Sequence, residues 1–126
     1  MLLSVIMPVY NERDTIEKII EQVLSEPTEK ELIVVDDYSR DGTRDILQKI
    51  TLPRVRIFFH EKNQGKGAAI RTAIAKVTGE IAIIQDADLE YNPQEYSRMI
   101  KPIVEDKADV VYGSRFRGPE QRVLFF

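Results

Sequence analysis

The sequence predicts an α/β fold built on a doubly wound, mostly parallel sheet. Three observations predict it. Short apolar and β-branched runs alternate strictly with amphipathic helical periods. Two of those runs, Glu31–Asp36 and Glu80–Gln85, are almost continuously apolar, as parallel strands covered on both faces are. The connections are short, which implies right-handed crossovers within one domain.

Leu3–Val9 reads as the first strand. Asn11 is placed to cap the helix that follows, where Ile16, Ile19, Ile20, Val23 and Leu24 recur at i, i+3, i+4, i+7 and i+8. After the strand Glu31–Asp36, the polar turn Ser39–Thr43 leads into a helix over about 43–50. Val55–His60 reads as a third strand. Gly65–Val77 reads as a helix with Ile70, Ala73, Ile74 and Val77 on one face, stopped by Gly79. Glu80–Gln85 is the fourth strand. Asn92-Pro93-Gln94-Glu95 then resembles a helix start, with a buried stripe of Tyr96, Met99, Ile100, Ile103 and Val104 and a kink at Pro102. Ala108–Gly113 is the fifth strand, and the apolar end Val123–Phe126 has no stop signal, so the chain is expected to break off inside a structured region.

Bulk properties narrow the function. With 126 residues the chain suits one domain, short for an enzyme with two substrates. A net charge of −3 gives no field that attracts nucleic acid, so none is expected as a partner. Cysteine is absent, which excludes disulfides and thiolate metal sites and agrees with a reducing cytoplasm. The apolar start lacks a basic leader and a small-residue cleavage site, and reads as a strand rather than a signal peptide. No apolar run approaches the roughly 18 residues of a membrane span.

Chemistry-bearing residues collect after the strands, where open parallel sheets bind ligands. Tyr10, Asn11 and Glu12 follow the first, and Asp36 and Asp37 end the second. Asparagine, glutamine and glycine at 63–65 follow the third, and Asp86, Asp88 and Glu90 the fourth. One of the Asp36-Asp37 carboxylates is explained by capping a turn; the other suits a base N–H or ribose hydroxyls. In Asp86-Ala87-Asp88, extended backbone throws both carboxylates one way, where they repel unless a cation joins them. Oxygen ligands favour Mg²⁺ or Mn²⁺, with Glu90 as a further ligand. Arg115 offers a fork for a diphosphate, with Arg117 beside it. Gly65 and Gly67 permit close backbone approach at a helix start. Lys66 is a phosphate contact or a solvated side chain. His60, the only histidine, reads as structural rather than catalytic.

Five segments together resemble family-2 glycosyltransferases of the GT-A fold, nearest to the polyprenol-phosphate (dolichol-phosphate) mannosyl- or glucosyltransferases. They are Val5–Glu12, Ile33–Thr43, Asn63–Ala69, Gly79–Asp88 and Val111–Phe116. The resemblance implies a Rossmann-like layer spanning residues 1–126, the nucleotide-sugar-binding part of a longer catalytic domain. It implies that Pro8, Tyr10, Glu12, Val35 and Asp37 line the base and ribose site. Asp86, Ala87 and Asp88 would hold ribose, metal and diphosphate, with Asp88 and Glu90 as metal ligands and Arg115 on a phosphate. Tyr38 and Glu90 depart from the family's commoner residues, which leaves a GDP- or UDP-linked hexose open. The acceptor half and any membrane helices would follow Phe126, giving peripheral association with the cytoplasmic face of a membrane.

The implied reaction is inverting transfer of a hexose to an acceptor such as a polyprenyl phosphate, with Asp88 and Arg115 as the catalytic pair. A donor-binding module without turnover is the alternative. A sugar nucleotidyltransferase would need a glycine-rich loop after the first strand, where Pro8–Arg13 has no glycine. A signalling receiver would need its acidic pair after the first strand, and here it follows the second.

Overall fold

The computed structural model describes residues 2–87, 110–114 and 120–125. They form β1 (Leu3–Val9), α1 (Ile16–Ser25), β2 (Lys30–Asp36), α2 (Thr43–Gln48), β3 (Val55–Phe59), α3 (Lys66–Ile74), β4 (Ile81–Ile84), β5 (Val110–Ser114) and β6 (Glu120–Phe125). The sheet order is β3-β2-β1-β4-β6-β5. β1 pairs in parallel with β2 and β4, and β2 with β3. β6 runs antiparallel between β4 and β5, so all other strands share one direction. The chain thus winds outward from β1 to β3, then crosses back to place β4 on the other side of β1. That reversal opens a crevice at the carboxyl ends of β1 and β4.

Alternation along β1 and β2 explains the two-sided burial. Leu3, Val5, Met7 and Val9 join Leu32, Val34, Ile81 and Ile83 beneath α1 and α2. Helix α1 buries Ile16, Ile19, Ile20 and Val23 there. Ile6, Ile33, Val35, Ala82 and Ile84 face the other way, against Ala69 and Ala73 of α3. Small residues on α3 let the helix lie close to the sheet.

Several local expectations change. Asn11 does not cap α1. Its backbone is left-handed (φ 53°), which asparagine tolerates, and Thr15 occupies the cap position. Helix α3 ends at Ile74, ahead of Val77, so Gly79 is not its stop signal. A Cβ on Gly79 would lie 2.5 Å from the Leu2 carbonyl oxygen and 2.6 Å from Ser4 Oγ. Glycine is there because β1 passes too close for any side chain. Val123, Leu124 and Phe125 of the apolar end belong to β6, with Val123 opposite Ile83. The helix expected from Asn92 through Val104, with its Pro102 kink, lies outside the described residues. Among the described residues no helix is long and apolar enough to cross a membrane.

The amino ends of the strands are tied by Glu31. Its carboxylate accepts hydrogen bonds from Ser4 Oγ (2.5 Å), the Thr78 amide (2.7 Å), Thr78 Oγ1 (2.8 Å) and Arg56 Nη2 (2.8 Å). Burial alone would raise its pKa, but these donors overcome burial and pull it down to about 2.

Two predictions follow from this packing. Gly79→Ala is expected to cost about 1–3 kcal/mol, because a methyl group cannot fit without moving backbone; a urea midpoint equal to the parent's would refute the close-approach argument. Glu31 binds its proton less readily folded than unfolded, so its contribution to stability is complete above the ordinary carboxylate pKa of 4.5 and is lost as pH falls toward 2. Chemical denaturation between pH 5 and pH 2 is expected to show a steep loss that Glu31→Gln flattens.

Candidate functional site

Four loops meet at the carboxyl edge of the sheet, and side chains lock them together. The loop after β1 is bound to the loop after β2. The Asn11 amide donates to Ser39 Oγ (2.9 Å), Asn11 Oδ1 accepts the Arg40 amide (2.8 Å), and the Glu12 amide donates to Thr43 Oγ1 (3.0 Å). Thr15 Oγ1 reaches across to the Ala87 carbonyl after β4 (2.6 Å).

Asp36 and Asp37 divide the work between structure and cavity. Asp36 is fully buried and accepts the Ser39 amide (3.0 Å), Ser39 Oγ (2.6 Å) and Arg44 Nη1 (3.2 Å). It is the carboxylate that shapes a turn. Asp37 Oδ1 accepts the Gln64 amide (2.8 Å) and faces His60 Nδ1 (2.9 Å), while Oδ2 accepts the Gly65 amide (2.8 Å). Burial opposes the charge, yet the Gln64 amide, His60 and the Gly65 amide together hold its pKa below the usual carboxylate value. The anion at the start of α3 is therefore the protein's own Asp37. Gly65 accommodates this turn with φ 96°.

Above these loops lies a cavity of about 460 Å³ between β1, β2, α3 and the end of β4. That is ample for part of a small organic ligand. Pro8, Tyr10, Glu12, Asp37, Lys66, Asp86 and Ala87, all singled out from the sequence, line it. Tyr10 is 46% exposed, an aromatic face open at the rim. Lys66 Nζ lies 2.6 Å from Asp86 Oδ1, so these two expected ligand contacts meet each other. Val35 does not line the cavity; it is fully buried under α3. Asn63 and Gly65, placed at this edge by the sequence, line it too, and Val9 and Ala69 line it without having been named. Asn63 and Gly65 hold the loop that Asp37 grips; Asn63 Nδ2 donates to the Asp37 carbonyl (3.2 Å).

Asp88, Glu90 and Arg115, with Arg117, lie outside the described residues. Among the described residues no three acidic or histidine side chains gather as metal ligands. Asp86 is the member of the expected Mg²⁺ or Mn²⁺ set that the structure describes, and it reaches the cavity with an oxygen donor that suits a hard cation.

Comparison with known proteins agrees with this fold. The model of the family described as Glycosyl transferase family 2 matches residues 4–125. A UDP-N-acetylglucosamine--dolichyl-phosphate N-acetylglucosaminyltransferase of Methanococcus voltae is 29% identical over 95% of the chain and 54% of its own length. The mannosyltransferase PcManGT of Pyrobaculum calidifontis, solved with GDP-Man and Mn²⁺, superposes with a TM-score of 0.80 at 27% identity, over 90% of this chain and 35% of its own. TarS of S. aureus, solved with UDP-GlcNAc, superposes with a TM-score of 0.76 at 28% identity, over 94% of this chain and 37% of its own. The chain thus spans about half, or less, of the length of these proteins.

The hydrogen bonding separates two kinds of cavity residue. Asp37→Ala strands two loop amides and is expected to cost at least about 2 kcal/mol of stability. Lys66→Ala removes the exposed partner of the part-buried Asp86 and is expected to cost less than about 1 kcal/mol. Denaturant melts of the two variants compare them directly, and the reverse ranking would mean that Asp37 is not an internal strut.

Proposed function

Because the chain belongs to glycosyl transferase family 2, we propose that it forms the donor-binding part of an inverting glycosyltransferase, which takes a hexose from a nucleoside diphosphate sugar. The observation that carries this reading is the convergence of Tyr10, Glu12, Asp37, Lys66 and Asp86 on one cavity at the strand-order reversal. Residues 1–126 are then the nucleotide-sugar half of a larger catalytic domain.

The roles follow from what each group offers. Tyr10 presents a ring on which a base stacks. Asp37 has filled both lone pairs of Oδ1 and one of Oδ2, which leaves a single acceptor position for a base N–H or ribose hydroxyl. Glu12 and Asp86 are acceptors for sugar hydroxyls, with Pro8 and Ala87 between them. Val35 supports this wall from the core. Lys66, 59% exposed, has the freedom to leave Asp86 and meet a phosphate. Asp86, Asp88 and Glu90 would hold Mg²⁺ or Mn²⁺, which when bound neutralises the diphosphate. Arg115 adds a guanidinium to the leaving group, and it and Asp88 are the proposed catalytic residues.

The acceptor is proposed to be a polyprenyl phosphate, whose oxygen is already anionic and attacks the anomeric carbon without a base. The printed activity of the Methanococcus voltae relative, a dolichyl-phosphate transferase, supports that class. The neighbours solved with GDP-Man and with UDP-GlcNAc support a GDP- or UDP-linked donor equally. A lipid-linked acceptor places the enzyme at a membrane surface, proposed as the cytoplasmic face. A donor-binding module without turnover is the second reading; it uses the same cavity and differs only in transfer.

Thermal shift with Mn²⁺ and UDP-GlcNAc or GDP-Man tests the donor site. A matching nucleotide sugar at a hundredfold excess over its Kd stabilises the fold by about 2.7 kcal/mol. Asp86→Ala is expected to remove most of that shift. No shift with any nucleotide sugar would sink the donor reading, and a shift without hexose transfer would favour the binding module.

A further inference from the structure

We propose that His60 is a positioning residue for the donor pocket, fixing the direction in which Asp37 offers its last acceptor position. The inference rests on the nucleotide reading above and adds to it a residue that lines no part of the cavity. His60 is the chain's single histidine and is 8% exposed. Every polar atom it has is engaged. Its amide donates to the Asp36 carbonyl (2.9 Å) and its carbonyl accepts Arg44 Nη1 (2.9 Å). Its ring spans from Asp37 Oδ1 at Nδ1 (2.9 Å) to Thr72 Oγ1 at Nε2 (2.9 Å).

The chemistry of the partners fixes the ring. A carboxylate only accepts, so Nδ1 carries a proton; in the neutral ring Nε2 then accepts the Thr72 hydroxyl. Thr72 stands on α3, whose packing against the sheet gives the ring an immobile backstop. The Gln64 and Gly65 amides hold the carboxylate from the loop side, and His60 holds it from the helix side. Without the ring, Oδ1 has one donor instead of two, and the carboxylate is held by the two loop amides alone. The direction of the open position on Oδ2 would then follow the loop rather than the ring braced by Thr72. The ring acts on ligand affinity only through Asp37.

Calorimetric titration of UDP and GDP, with Mn²⁺ present, tests this. His60→Leu is expected to weaken the nucleotide that binds wild-type protein by about tenfold or more, the scale of one hydrogen bond to a charged group. His60→Asn carries an N–H donor near the Nδ1 position and is expected to recover most of the affinity. In an Asp37→Asn background, His60→Leu is expected to add little. Because the chain has one histidine, a long-range ¹H–¹⁵N spectrum of the wild-type protein reads its tautomer without assignment, and Nδ1 protonation is expected there, a readout that does not depend on how well the variants fold. Unchanged affinity in His60→Leu, an undiminished loss in the Asp37→Asn background, or an Nε2-protonated neutral ring overturns the inference while leaving the nucleotide site standing. Wild-type protein that binds neither nucleotide overturns both.

Discussion

A buried carboxylate is costly unless donors surround it, and the carboxyl edge of this sheet is organised around meeting that demand at Asp37. The side chain is almost fully enclosed, yet its charge is favoured because two backbone amides and a histidine aim at it. Those donors come from the segment after β3 and from the turn that opens α3. Satisfying one charge therefore orders the loop at 60–65, starts a helix and closes one wall of the cavity. No apolar contact would give the same result, because dispersion has no direction, whereas a carboxylate fixes where its donors must stand.

The two ends of β2 solve the same problem for different purposes. At the amino end Glu31 gathers Ser4, Arg56 and Thr78, joining β1, β3 and the segment before β4. At the carboxyl end Asp36 and Asp37 gather the loops that bound the cavity. Between them run Leu32, Ile33, Val34 and Val35, alternating between the two cores. Register along β2 is thus held by its charged ends as well as by its apolar middle. A slip of one residue would exchange the two faces and strand three buried carboxylates at once.

Most of the fold was legible because periodicity reports burial. The runs at Leu3–Val9 and Glu31–Asp36, and the i, i+3, i+4 stripe of α1, needed no tertiary knowledge. The misreadings share one cause: they concern residues whose role depends on a neighbour distant in sequence. Asn11 has the composition of a cap but is bound to Ser39 and Arg40 across the loop junction. Gly79 has the composition of a helix stop but makes room for Leu2 and Ser4. Strand β6 went unread although the turn signal Gly118-Pro119 precedes it, and its antiparallel placement beside β4 follows from pairing. At the site, the sequence pointed to the edge where the cavity lies and to seven of its lining residues, because strand ends dictate position. It could not say that Val35 turns into the core, or that the partner of Asp37 would be the lone histidine.

This division of roles bears on how such a cavity can be both selective and responsive to charge. Its Asp37 wall is rigid: each donor to that carboxylate is backbone or a buried ring, so the remaining acceptor has little freedom. Its Lys66–Asp86 lip is adjustable, since a long exposed side chain holds a pair of modest strength. A ligand with a hydrogen-bonding end and an anionic end would meet a fixed partner first and a movable cation second. Discrimination then belongs to the strut and charge compensation to the lip. The two meet at the start of α3, where Gly65 gives its amide to Asp37 and the next residue, Lys66, sends its side chain to Asp86.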